Sequence, residues 1–362
     1  MVFNHLSEDV LPSLVLVASP YQLLCAIEYL SDRQLLESAH VLFEVAENSN
    51  AEQQMYHLLN KFNLFHYKRL SIANSGTLAQ RIASYAHQIN VFITYRFNAI
   101  LIGDVRHQWM QDTLCSLEAE HYIMVDDGAA VLSIYQHILS KQDCTLPVNL
   151  FPDSAVSRQQ EAVQIKRELG LQLKTRKLGT FSLFNLPSPH FFKQHQFSNV
   201  LKVLRESKEL SKKKEVHFIG THFVELKLLS ESEYYFYLKR TRALIPDHID
   251  LVYFPHRGED FKLKIPLLAA LNIQFKELPC PYEMFLMQTF MVPSQLIGFY
   301  TTCLFNVKAI FSDNIETSYI KLKDKELQRF KDMDWMHKRF SLYDQVVSIY
   351  QQLDDDNINK LF

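Results

Sequence analysis

The chain has 362 residues, more than one hydrophobic core usually serves, so two domains are the default expectation. Hydrophobic residues make up 48% and charged residues 22%, which excludes a disordered chain, and a net charge of −2 speaks against a broad electrostatic grip on nucleic acid. The five cysteines are odd in number and lack C-x-x-C spacing, which argues against a disulfide framework or a zinc site and fits a reducing compartment.

The acidic N-terminus lacks the basic start of a signal peptide. The longest apolar stretches fall well short of the ~20 residues that span a bilayer. A cytoplasmic protein is expected, and peripheral attachment to the inner membrane is compatible with this.

The first half alternates strand and helix signals. Leu14–Ala18 is a buried-strand run. Ser19-Pro20-Tyr21-Gln22 then matches a capping box with Pro at the first helical position, predicting a helix to about Leu36. Strands follow at Val41–Val45, Phe65–Ile72, Ala99–Gly103 and Tyr122–Val125, with helices at Glu52–Phe62, Leu78–Ala86 and Arg106–Leu117 between them. This rhythm predicts a parallel sheet with right-handed crossovers.

From Leu146 to Pro189 the pattern is less regular, and Phe181–Pro187 reads as an irregular connection. Leu201–Leu210 could form a helix, and Lys212-Lys213-Lys214 reads as a linker or helix end. The domain boundary is placed near residues 190–214, giving a first domain at 1–195 and a second at 196–335. The rhythm resumes with strands at Val216–Ile219, Ile249–Pro255, Ile273–Leu278, Leu296–Tyr300 and Lys308–Phe311, and helices at Tyr234–Leu244 and Phe261–Leu271. Tyr343, Val346, Val347, Tyr350 and Leu353 lie at helical spacing, predicting an amphipathic helix in 336–362.

In an open α/β sheet, ligands bind outside the carboxyl ends of the strands. Five apolar runs end there in chemistry-bearing residues, the first being Leu14–Ala18 into Ser19-Pro20. Asp126-Asp127-Gly128 follows Tyr122–Val125, and a carboxylate at that point could cap a turn or take the proton of an attacking hydroxyl. Chelation of one metal by both acids is disfavoured, because adjacent residues on a strand point to opposite faces. Gly220-Thr221 follows Val216–Ile219, with His222 next to it read as structural. His256-Arg257 follows Ile249–Pro255 and could stabilise a phosphate leaving group or be an exposed loop pair. Thr301-Thr302 follows Leu296–Tyr300 and could cap a helix or bind phosphate at its positive end.

The order Asp-Asp-Gly, strand-end His and hydroxyl pair resembles the bacterial sialyltransferases, including lipooligosaccharide sialyltransferases and capsular polysialyltransferases. The early Ala18–Leu24 segment is similar to the S-P-L-Q-L start of the polysialyltransferase-like group. His256 is followed by Arg257 where most of the family has Pro. The resemblance implies an α/β GT-B fold, two doubly wound Rossmann-like domains facing across a cleft, with the last helix crossing back. It implies Asp126 as general base, His256 on the leaving phosphate, Thr301 and Thr302 on the same phosphate, and Glu283 on the cytidine ribose. Gly220 and Thr221 match the family's small-residue loop near the nucleotide, and Arg257 would add positive charge there. The implied reaction is metal-independent, inverting transfer of sialic acid or a related nonulosonic acid from a CMP donor to a surface glycan, lipooligosaccharide or capsule, with no cofactor. A donor such as a UDP-hexose, a metal-dependent transferase using Asp126 and Asp127, and a non-catalytic capsule-assembly scaffold are the rival expectations.

Overall fold

The computed structural model describes residues 12–73, 75–128, 130–146, 156–186, 188–205, 208–327, 329 and 351–353. The chain divides into two compact units, Met1–Val200 and Leu201–Phe362.

Unit 1 runs β1 Ser13–Val17, α1 Pro20–Asp32, β2 Ala39–Phe43, α2 Asn50–Lys61, β3 His66–Arg69, α3 Leu78–Asn90, β4 Arg96–Ile102, α4 Gln108–Ser116 and β5 Glu118–Val125. It continues with α5 Ala130–Ile134, β6 Thr145–Leu146, α6 Val156–Glu168, β7 Arg176–Lys177, β8 Gly179–Ser182, β9 Phe192–Gln194 and α7 Ser198–Arg205, within which the division falls. Seven strands form one sheet in the order β3-β2-β1-β4-β5-β8-β9. Every pairing in it is parallel. Its centre is apolar on both faces, with Leu14, Val15, Leu16, Val17, Ile100, Leu101 and Ile102 fully buried, as a helix-covered parallel sheet requires.

The helix starts follow their caps. Ser19 Oγ accepts the Gln22 N–H at 3.2 Å, with Pro20 at the first position. The Gln22 side chain does not complete the expected box: its Oε1 accepts the Ala18 N–H at 2.6 Å instead. Phe181–Pro187, read as an irregular connection, holds the end of β8, which pairs with β5 through Ile123↔Gly179 to Val125↔Phe181.

Unit 2 runs β10 Ser211–Ile219, α8 Glu231–Leu244, β11 Asp250–Phe254, α9 Phe261–Ala270, β12 Gln274–Phe275, α10 Tyr282–Thr289, β13 Met291–Gly298, α11 Thr302–Phe311, β14 Glu316–Ile320, α12 Asp324–Leu327 and β15 Gln351–Leu353. Its sheet order is β12-β11-β10-β13-β14-β15, again all parallel. Phe299 packs against Phe218, Phe223, Tyr234 and Tyr237, so much of the aromatic content serves the core.

Three sequence expectations are corrected here. Lys212–Lys214 is neither linker nor helix end: it opens β10, whose register against β13 shifts between Lys213 and Val216. Lys308–Phe311 ends α11, and the strand comes later, at β14. Most of the helix expected over 336–362 lies outside the described residues. Gln351–Leu353, within that range, is a strand that satisfies the outer edge of β14 with main-chain bonds, Ser318↔Gln351 to Ile320↔Leu353. No disulfide links the five cysteines. Among the described residues, no helix is long and apolar enough to cross a membrane.

Candidate functional site

Each sheet reverses its strand order once, between β1 and β4 in unit 1 and between β10 and β13 in unit 2. Such switch points open crevices at the carboxyl ends. The sequence-predicted residues gather at these two places.

In unit 1, the segments leaving β1, β4 and β5 are laced together. Gln22 Nε2 donates to Asp127 Oδ1 at 2.7 Å. Arg106 Nη2 donates to Asp127 Oδ2 at 2.9 Å and to Asp104 Oδ2 at 2.7 Å. A Cβ on Gly103 would collide with the Gln22 amide, so the glycine admits the glutamine that reaches Asp127. Burial opposes ionisation of Asp104, but the Arg106 guanidinium outweighs it and holds that carboxyl below its usual range. Burial, then the Asp104 charge, pushes Asp127 the other way, up to about 6.

The two acids of Asp126-Asp127-Gly128 face different surroundings. Asp126 is 0% exposed, while the Asp127 side chain is 23% exposed. Asp126 Oδ1 accepts the Ser182 hydroxyl at 2.5 Å, and Oδ2 accepts the Leu183 N–H at 2.7 Å. In this structure the Asp126 carboxylate is sealed by β8 and does not reach the surface where the expected base would meet an acceptor. Asp127 does. Sequence reasoning missed Ser182 because β8 is short and opens on Gly179; the apolar residues Leu178, Phe181, Leu183 and Phe184 were the available signal.

Among the described residues, Cys25, Asp126 and His195 place one potential ligand atom each within 4.8 Å of one another. The local bonding does not suit a metal. His195 Nδ1 accepts the Phe197 N–H at 3.4 Å, so the ring proton lies on Nε2, the atom 3.7 Å from Asp126 Oδ2. The nitrogen aimed at the cluster therefore carries hydrogen, not a free lone pair. The ring is fixed by parallel stacking on Phe181 at 4.4 Å.

In unit 2, β11, β10 and β13 lie side by side, and Ile219 is in register with Phe254 on one side and Gly298 on the other. The three loops therefore leave the sheet at one level, carrying Gly220-Thr221, His256-Arg257 and Thr301-Thr302. A Cβ on Gly298 would press on Ile219 O and Thr301 Cγ2, each at 3.2 Å. Thr301 caps α11, its hydroxyl accepting the Cys303 N–H at 3.3 Å, and Thr302 is the first helical residue. The positive end of that helix faces the same level.

The His256 turn rests on a buried network. Glu259 Oε1 accepts the His256 N–H at 2.6 Å, and Oε2 accepts the Tyr253 hydroxyl at 2.5 Å and the Lys264 ammonium at 2.7 Å. Tyr253 and Tyr234 share a bond at 2.7 Å, and Tyr234 Oη accepts the Thr221 N–H at 3.2 Å. A Cβ on Gly220 would collide with Glu259 Oε1 and Tyr253 Oη, which explains the glycine. His256 Nδ1 accepts the Gly258 N–H at 3.0 Å, leaving Nε2–H as the remaining donor. Burial, then His222 and Arg257, push the His256 ring down to about 4, so it is neutral at pH 7 and donates a hydrogen bond, not a proton.

Glu283, in the first turn of α10, is buried against α11, where Asn306 Nδ2 donates to its Oε1 at 2.9 Å. Burial pushes the carboxyl up, with the Asn306 and Cys303 bonds opposing. Among the described residues, Asn306 Oδ1 is buried with no hydrogen-bond partner. It lies on α11, the helix that follows β13.

No family model matches the sequence, and no curated protein matches it. Among solved structures, the chain is similar to UDP-GlcNAc 2-epimerase from Methanocaldococcus jannaschii, with TM-score 0.53, 11% identity, and 96% of this chain and 90% of that one covered. It is also similar to the GT-B domain of a sialyltransferase from Photobacterium damselae, with TM-score 0.44, 14% identity, and 90% and 96% covered. A third is MurG from Acinetobacter baumannii, with TM-score 0.44, 10% identity, and 97% and 90% covered. The fold is the α/β, two-Rossmann-domain class known as GT-B.

Proposed function

We propose that this chain, having that fold, is an inverting, metal-independent glycosyltransferase that moves sialic acid or a related nonulosonic acid from a CMP donor to a hydroxyl of a bacterial surface glycan, lipooligosaccharide or capsule. The observation that carries the reading is the shared level of the β10, β11 and β13 ends, which gathers a glycine loop, a neutral histidine, a threonine pair and a helix N-terminus. That set suits a nucleotide phosphate. Asn306 Oδ1, buried and unpaired, suits a polar ligand nearby.

Asp127, held up to about 6, takes the acceptor's proton as its oxygen attacks the anomeric carbon. The bond from that carbon to the phosphate oxygen breaks, and CMP leaves with the electron pair. His256 Nε2–H, Thr301, Thr302 and the start of α11 stabilise the charge on the departing phosphate, and Arg257 adds to the positive field. Glu283, with Asn306, stands for the ribose hydroxyls. Attack opposite the leaving group inverts the anomeric centre. Asp126 is a positioning residue, tying the loop to Ser182 and Leu183.

The test is CMP release from CMP-sialic acid by the purified protein with a glycan acceptor, with and without EDTA. Transfer that survives EDTA and is lost in Asp127→Asn is the expected result. Thermal stabilisation by UDP and not by CMP would reassign the donor. Absence of any transfer or nucleotide binding would leave the scaffold reading. Association with the inner membrane, proposed as peripheral, is tested by vesicle flotation.

A further inference from the structure

We propose that His222 pairs with His256 to grip the donor phosphate, making His222 a further binding residue; this rests on the nucleotide reading above. The two rings come from neighbouring strand ends, one after β10 and one after β11, and stack with centroids 4.4 Å apart and planes 11° apart. Both are half-buried, so the pair is partly open to solvent. Gly258 closes one side of the stack: a Cβ there would lie 3.3 Å from His256 Nδ1 and 3.4 Å from His222 Cγ. The Gly258 N–H bond to His256 also leaves the remaining ring proton on Nε2.

The charged groups around the pair are Arg257, next in the chain, and Glu225, Lys264 and Glu259. Lys264 is bound to Glu225 at 3.3 Å and to Glu259 at 2.7 Å, so these three leave one negative charge, which Arg257 offsets. Burial, opposed by Glu225 and reinforced by Lys264 and Arg257, holds the His222 ring below the usual histidine range. With His256 also pushed down, the stacked pair carries little positive charge at pH 7. Two stacked imidazolium ions would repel strongly. A bound phosphate supplies the missing negative charge, raises the pair's proton affinity and draws in a proton. Phosphate binding should therefore be accompanied by proton uptake.

Calorimetric titration of the full chain with CMP and with cytidine, in buffers of different ionisation enthalpy, tests this. His222→Asn should weaken CMP by about tenfold or more and leave cytidine within about twofold, as loss of a charge-assisted bond to phosphate requires. Wild type should take up protons on binding CMP, and the variant fewer. CMP and cytidine weakened alike, or CMP unchanged, would overturn the pair; so would equal proton uptake in both proteins. If UDP or ADP binds in place of CMP, the CMP donor falls, and the pair is judged by the same ratio against uridine or adenosine. A wild-type chain that binds none of the three overturns both the reading and the pair.

Discussion

The Glu259 carboxylate holds the main-chain N–H of His256 at 2.6 Å while its other oxygen holds Lys264. A buried ion pair thus sets the turn that presents the histidine. Breaking such a pair from one side is expensive, because it strands the other charge.

Glu259→Ala should therefore destabilise unit 2 by ~3–5 kcal/mol, read from urea unfolding. Glu259→Leu combined with Lys264→Met should recover most of that loss but not nucleotide affinity, because the His256 N–H stays unpaired. An unfolding curve unchanged in Glu259→Ala would remove the network from the account.

Asp127 gives a pH signature. Its folded-state value is about 6, raised by burial and then by Asp104, against about 4 for an ordinary aspartate. The base must be ionised, so transfer should fall as pH drops below about 6. The folded state binds the proton more tightly than the unfolded one, so this group's stabilising contribution at low pH is lost as pH rises from about 4 to about 6. Asp127→Asn should thus be no less stable than wild type at pH 7 while losing about 10²–10⁴ in rate. A pH–rate profile flat down to pH 5 would contradict the assignment.

Asp126 should behave in the opposite manner. Asp126→Ala leaves the Ser182 hydroxyl and the Leu183 N–H without their acceptor, at ~1–3 kcal/mol for each orphaned group. Thermal unfolding should show the loss, and the surviving activity should keep its acid limb. Normal stability with no transfer in Asp126→Asn would return the base role to Asp126.

Gly220→Ala should cost ~1–3 kcal/mol by overpacking, since its new methyl would meet Glu259 and Tyr253, both held by other bonds. Nucleotide binding should weaken with it, measured by thermal shift with and without CMP. A variant that melts and binds as wild type does would show that the loop adapts.

The alternation of elements was legible because parallel strands buried on both faces are written as plain apolar runs and the helices announce themselves with caps such as Ser19-Pro20. β8 and β9 were not, being three or four residues long and specified by partners far away in sequence. The same distance hid the difference between Asp126 and Asp127: adjacent acids look alike until Ser182 closes over one of them and Arg106 over the other. His222 read as structural because nothing in Gly220-Thr221-His222 shows that a second imidazole will stack on it. Lys212–Lys214 misled for a different reason, since an exposed strand start carries the same charges as a linker.

Glu28 has a practical bearing. This carboxylate, 3% exposed on α1, receives the N–H groups of Asn199 and Val200 at the start of α7, at 3.1 and 2.8 Å. A version of unit 1 expressed alone and trimmed at residue 195, where the sequence pattern fades, would leave that acid inside the protein with its donors cut away. Extending the excised piece through Arg205 keeps the whole of α7 and should yield the better-behaved fragment.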